Sequence, residues 1–442
     1  MLYPARLQGA IRPFLPLLAI LVASCATPAP ARKSSTPSQV KTATSTQTGG
    51  QGEKQSVKPS ERLTGEQDNL TAETSWPEPP ALAVQEAPFP TVATPITGLG
   101  RIQARVARMD LREKLAQHFI VWIPRNADAA AIGKLKVLRP AGYIVYPWNY
   151  ASLTDLRDLT TKLASPAQDD GSSTGIIPFI CADQEGGRVA AFRFKEFPVQ
   201  PSAFLLGSLG DPAIVEAAAY TTALQLKYLG CNMNLAPVAD LYERADSTII
   251  GDRSFGPDPA ATGMAVAAYV RGLTRGGVIP TLKHFPGHGV TTIDSHADLP
   301  VVASDRVRLV EHDMLPFGEG IRAGAPVVMT AHILYPSIDP TNPATLSPLI
   351  LKDLLRDSLG FDGIILTDGF EMGALSKTLG KRESLLRALQ AGINLILLYN
   401  RYDPTEMIDL LESLVQEGLV PMETIDKNVE RILKVKANYG LL

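Results

Sequence analysis

Three of the chain's six histidines, His284, His288 and His296, fall within thirteen residues of one stretch, 283–300, KHFPGHGVTTIDSHADLP. An imidazole gives and takes protons near neutral pH, and Asp294, two residues before His296, can orient that ring and favour its charged form. Pro286, Gly287 and Gly289 forbid an unbroken helix, so the imidazoles sit on a shaped loop. Loops placed by a rigid scaffold are where binding and catalysis concentrate.

Two chemistries compete for this stretch. His284 and His288 are four residues apart, a metal-ligand spacing on a helix, but the Pro-Gly pair denies them the helix. The other chemistry is hydrolysis by a carboxylate and a proton-transferring partner. Asp368, beside Gly369 at the end of an apolar run, could approach a sugar's anomeric carbon, although an Asp at a strand-to-helix turn is also a common helix cap. Glycosidases usually employ two carboxylates, so an imidazole in place of the acid would be a departure.

Other classes find little support. No serine occupies a nucleophile elbow, and no P-loop, strand-linked GxGxxG or CxxC calls for a cofactor. A net charge of −3 with mixed signs offers no basic stripe to nucleic acid. Cys181 and Cys231, each beside an apolar run, read as buried free thiols.

The elements that must position these groups follow from patterning. Apolar runs at 118–122, 143–146, 176–182, 232–237, 279–283, 326–330, 363–367 and 394–398 predict eight strands. Helical patterns at 152–163, 214–229, 260–273, 307–321, 348–359, 383–389 and 405–417 separate or follow them, and a last helix near 424–433 ends before Gly440. The order is that of an α/β fold, a single (β/α)8 TIM-type barrel, whose active site lies at the C-terminal ends of the strands. An open doubly wound sheet is the rival, because local patterning does not reveal closure. Polar groups distinguish the two: Asp183 and Glu185 follow the third strand, Asp240 the fourth, the histidine loop the fifth, His332 the sixth and Asp368 the seventh. Recurrence at strand end after strand end points to the barrel.

Ahead of this lies a different kind of sequence. Arg6 and Arg12 precede an apolar run from Phe14 to Val22, which reads as a signal peptide. It ends in LVASC, similar to a bacterial lipobox, so residues 1–24 are expected to be removed and Cys25 to carry lipid; ordinary cleavage after small residues is the alternative. Residues 25–97, rich in Ser, Thr and Pro without apolar periodicity, are expected to form a disordered tether to a catalytic domain at 98–442. The expected protein is exported, anchored to a membrane through Cys25 and monomeric.

The stretches DQEGGRV (183–189), IGDRSF (250–255), KHFPGHG with DSH (283–296) and FDGIILTDGFEMGAL (361–375) together resemble the bacterial β-N-acetylglucosaminidases of glycoside hydrolase family 3, in order and across 98–442. The resemblance implies a retaining two-step mechanism on a carbohydrate substrate, without metal or cofactor. It implies Asp368 as nucleophile, His296 as acid/base paired with Asp294, and Asp183, Arg253, Lys283 and His284 as holders of the sugar. A β-glucosidase of the same family, or an inactive lipid-anchored glycan-binding protein, are the competing readings. One departure stands out: relatives carry an arginine eight residues after the aspartate of DQEGGRV, and here Ala191 occupies that place, with Arg193 two further on.

Bland roles are set beside these. Arg188 and Arg253 can be ion-paired to neighbouring carboxylates, His332 reads as a hydrogen-bonded structural residue, His288 as a brace for its loop, and Glu185 as part of a tight Gly-Gly turn. The arm bearing Asp294 and His296 is expected to bring the acid/base onto a bound sugar.

Overall fold

The computed structural model describes residues 98–165, 175–242, 249–288, 299–372 and 379–442. Every apolar run predicted as a strand contributes one to a closed parallel barrel. These are β1 Phe119–Trp122, β2 Gly142–Ile144, β3 Phe179–Ala182, β4 Met233–Asn234, β5 Ile279–Phe285, β6 Val327–Thr330, β7 Ile364–Gly369 and β8 Leu395–Leu397. Each pairs with its sequence neighbours, and β8 returns to β1 with Ile396 opposite Phe119, so the open-sheet alternative is excluded.

Alternation along each strand divides the core in two. Ile120, Ile144, Met233, Ile279, Ile364, Leu366 and Leu395 fill the barrel, while Phe119, Val121, Tyr143, Ile180, Val328 and Ile365 pack in the cluster that includes the surrounding helices. Asparagine side chains extend the short β4: Asn232 Oδ1 accepts from Ile180 N at 2.8 Å, and Asn234 both accepts from and donates to the backbone of Gln184.

The helices begin where an acceptor satisfies their first N–H groups. Asp128, Ser152, Asp211, Asp258, Asp305 and Asp403 each accept a backbone hydrogen bond two or three residues on, and Pro212, Pro259 and Pro404 occupy first turns. One prediction needs correction: 307–321 is not a single helix. A π-helical turn, Leu309–Asp313, precedes the helix Leu315–Arg322, which restarts at Pro316, a residue with no N–H to continue the ladder. The final helix, Met422–Asn438, closes the N-terminal end of the barrel: Ile432, Val435 and Leu441 join the barrel interior, and Ile177 N donates to Leu441 O.

Candidate active site

At the other end, where the strands finish, lies a pocket of about 260 Å³. Its walls come from separate β/α units: Tyr146 after β2, Asp183 and Glu185 after β3, Lys283 and His284 from β5, His332 after β6, Asp368 from β7 and Tyr399 after β8.

A charge network forms one side. Lys283 Nζ, almost fully buried, contacts Asp183 Oδ1 at 2.7 Å and Glu185 Oε1 at 2.6 Å. Arg253 holds Glu185 in a two-point fork, Nε to Oε2 at 2.8 Å and Nη2 to Oε1 at 2.9 Å. Burial alone would raise the Glu185 pKa, but the two cations outweigh it and hold the carboxyl at about 2, while Lys283 and Arg253 are raised in turn. All three are therefore charged at neutral pH.

The histidine loop is anchored to Asp240, which is wholly buried. Its carboxylate accepts from the backbone N–H groups of His284 and His288 and meets His284 Nδ1 at 2.7 Å. Burial would raise the Asp240 pKa, yet these partners lower it. The rings of His284 and His288 meet edge to face with centroids 5.8 Å apart.

Asp368 is half-buried at the end of β7, its Oδ1 accepting from Gly369 N at 2.7 Å. Burial pushes its pKa up, but His284, His332, the Gly369 N–H and Lys283 together bring it below the ordinary value. Among the described residues lining the pocket, Asp183 and Glu185 are ion-paired and Asp368 is the carboxylate without a side-chain cation in salt-bridge contact. An ionised carboxylate facing a pocket and, among the described residues, without a paired cation is equipped to act as a nucleophile or to stabilise positive charge.

The structure thus brings Asp368, Asp183, Arg253, Lys283 and His284 to one pocket. Asp294 and His296, with the arm that bears them, and Cys25 lie outside the described residues. Of the bland readings, Arg188 is ion-paired to Asp252 at 2.7 Å, and His332 is hydrogen-bonded to Thr345 Oγ1 and Gly369 O. Arg193 donates to the carbonyls of Gly187 and Arg188, while Ala191 donates its N–H to Asp183 O.

Glu185 exceeds its predicted role. Gly186 and Gly187 do make the turn, with φ of 99° and 54°, and a Cβ on Gly186 would stand 2.5 Å from Pro201 O. That turn aims Glu185 inward, where it is the shared partner of Lys283 and Arg253; its position just past a strand end was the available signal. His288 does brace its loop, through its backbone N–H to Asp240, while its ring Nδ1 has no hydrogen-bond partner among the described residues. Sequence reasoning missed the aromatic wall, Tyr146 stacked on Trp148 at 4.4 Å and edge-on to Tyr399 at 5.2 Å, since aromatics at strand ends read as core.

Comparison with known proteins gives this arrangement a context. Residues 110–435 match the model of the glycosyl hydrolase family 3 N terminal domain. The chain is 34% identical over 337 residues to the β-hexosaminidase LpqI of Mycobacterium tuberculosis, covering 75% of this chain and 84% of that protein. A β-hexosaminidase of Stenotrophomonas maltophilia is 36% identical over 263 residues, 58% of this chain and 75% of the relative. Among solved structures, a glycoside hydrolase family 3 β-N-acetylglucosaminidase from Paenibacillus superposes with a TM-score of 0.71 at 35% identity, over 75% of this chain and 63% of that one. The chain therefore spans less than two thirds of the Paenibacillus chain.

Proposed function

The chain belongs to glycosyl hydrolase family 3 and is a β-hexosaminidase; on that premise we propose that it releases terminal, non-reducing β-linked N-acetylglucosamine with retention of configuration. Asp368 is the nucleophile in this reading. Its carboxylate forms a bond to the anomeric carbon as the bond to the aglycone oxygen breaks, and His296, held by Asp294, gives that oxygen its proton. His296 then takes a proton from water as the water displaces Asp368, restoring both groups. An imidazole suits both steps: protonated, it is a cation beside the ionised Asp368 in the first, and once neutral it can take the water's proton in the second, when Asp368 is esterified.

The observation that carries the reading is that Asp368, among the described residues, has no ion-pair partner beside the saturated pairs of Lys283 and Arg253. Asp183, Arg253, Lys283 and His284 hold the hydroxyls and acetamido group of the sugar, in a pocket whose size suits one ring rather than a chain. The proposed substrates are cell-wall muropeptides or chito-oligosaccharides, met outside the cytoplasm by a protein exported and lipid-anchored at Cys25.

The test is a comparison of p-nitrophenyl N-acetyl-β-glucosaminide with the corresponding β-glucoside, with the configuration of the first-formed sugar followed by NMR. Hydrolysis of the acetamido substrate to the β-anomer is expected; turnover of the glucoside alone would overturn the reading. For the anchor, Cys25→Ser is expected to move the protein from the membrane to the soluble fraction.

A further inference from the structure

The mechanism above gives His288 no task. His288 is 4% exposed, lines the pocket and carries a ring nitrogen, Nδ1, that is buried without a hydrogen-bond partner among the described residues. Buried polar atoms are nearly always paired, so such a case asks for a reason. The loop does not need this ring as a brace. His288 N donates to Asp240 at 2.7 Å, Gly287 N donates to His284 O at 2.9 Å, and Tyr335 Oη donates to Gly287 O.

We propose that His288 is a substrate-binding residue, a neutral imidazole protonated on Nε2 that donates a hydrogen bond to an oxygen of the sugar in the pocket. An orphaned buried N–H is rarer than an orphaned acceptor, so we assign Nδ1 as the unprotonated nitrogen, which leaves the proton on Nε2 of a ring that lines the pocket. The charged ring is disfavoured. Burial opposes it first; Asp240 and Asp368 favour it, His284 and Arg253 oppose it, and the balance leaves the pKa at about 4. The edge-to-face contact with His284 fixes the ring plane, so the donor is aimed before the ligand arrives.

Lys283 and Arg253 are donors already engaged by carboxylates. His288 adds one that no group among the described residues uses, and that therefore gains a partner on binding. Unlike them, it brings no net charge to compete with the positive charge developing at the anomeric carbon.

The inference rests on the N-acetylglucosaminidase reading, and hydrolysis by the unmodified full chain tests that reading separately. With that activity in hand, His288→Phe is expected to raise KM for the nitrophenyl N-acetylglucosaminide about tenfold, the worth of one neutral hydrogen bond, with a smaller change in kcat. The melting temperature should hold or rise, since the orphaned Nδ1 is gone. His288→Gln, which can place an N–H near Nε2, should recover most of the KM. In the unmodified protein, the long-range ¹⁵N–¹H spectrum at pH 7, with His288 identified by its loss in the Gln variant, should show the neutral Nε2–H form. An unchanged KM with a lowered melting temperature in His288→Phe would make the ring a brace. Equal KM values in the two variants, or an Nδ1–H or doubly protonated ring, would equally overturn the proposal.

Discussion

The barrel buries a lysine at each end, and the two are treated in opposite ways. Lys283, 2% exposed at the pocket, has carboxylate oxygens at 2.7 and 2.6 Å, and its pKa is raised despite burial. Lys436, fully buried at the closed end, has Gln117 Oε1 at 3.1 Å and the Phe179 ring at 4.8 Å, and its pKa falls to about 7, chiefly through burial and further through the charge of Arg105. Depth alone therefore does not decide whether a buried lysine keeps its proton. Where the molecule needs fixed charge around a ligand it supplies counter-charge; where it needs only to fill the barrel floor, it lets the group go neutral.

If the open end keeps its charges to serve one unpaired carboxylate, removing that carboxylate should abolish activity and spare stability. Asp368→Asn is expected to lower kcat on the order of 10⁴-fold, as loss of a nucleophile does elsewhere, with a melting temperature at or above the unmodified value. A stability loss matching the activity loss would make Asp368 a structural cap. Next in size is Lys283→Met, which leaves Asp183 short of a partner and Glu185 with Arg253 alone. Breaking such a buried cluster should cost about 3–5 kcal/mol in denaturant titration, along with sugar binding. The matching change at the closed end should have the reverse sign: Lys436→Met removes a charge that burial penalises and should stabilise by about 1–3 kcal/mol at pH 7. Two losses, or two gains, would erase the contrast.

The sequence made the open end far more legible than the closed one. Eight strands were readable because buried parallel strands are apolar runs between turn residues, and closure was readable indirectly, through Asp183, Asp240, Lys283, His332 and Asp368 recurring at strand ends. What did not show was pairing across distance. Glu185 meets residues 68 and 98 positions on, and Asp240 meets His284 44 positions on, which no local pattern encodes. The closed end left one unused signal: Ile425, Val429 and Ile432 mark the buried stripe of the last helix, and the same spacing next reaches Lys436. A lysine on an apolar stripe is either exposed by a helix end or buried at a cost, and Gly440 comes too late for the first.

The closed end also predicts how stability follows pH, and a single neighbour can sharpen it. The Lys436 pKa is lowered from 10.5 to about 7 by folding, so between those values the unfolded chain holds a proton that the native chain has released. Stability should therefore rise with pH across that interval, a slope that Lys436→Met should remove. Lys283, raised above 10.5, adds no slope there; its contribution persists and is lost only at higher pH. Gln117 accepts from the charged lysine and donates to Arg139 O at 2.8 Å. Gln117→Leu should cost about 1 kcal/mol from that second bond at every pH, and should lower the Lys436 pKa further, because the ammonium loses its acceptor. Denaturant titrations from pH 6 to 10 separate the two, one as a uniform drop and the other as a rise that starts at lower pH. A uniform drop with an unshifted rise would mean that Gln117 does not stabilise the charged lysine, and that Phe179 and burial alone set its proton.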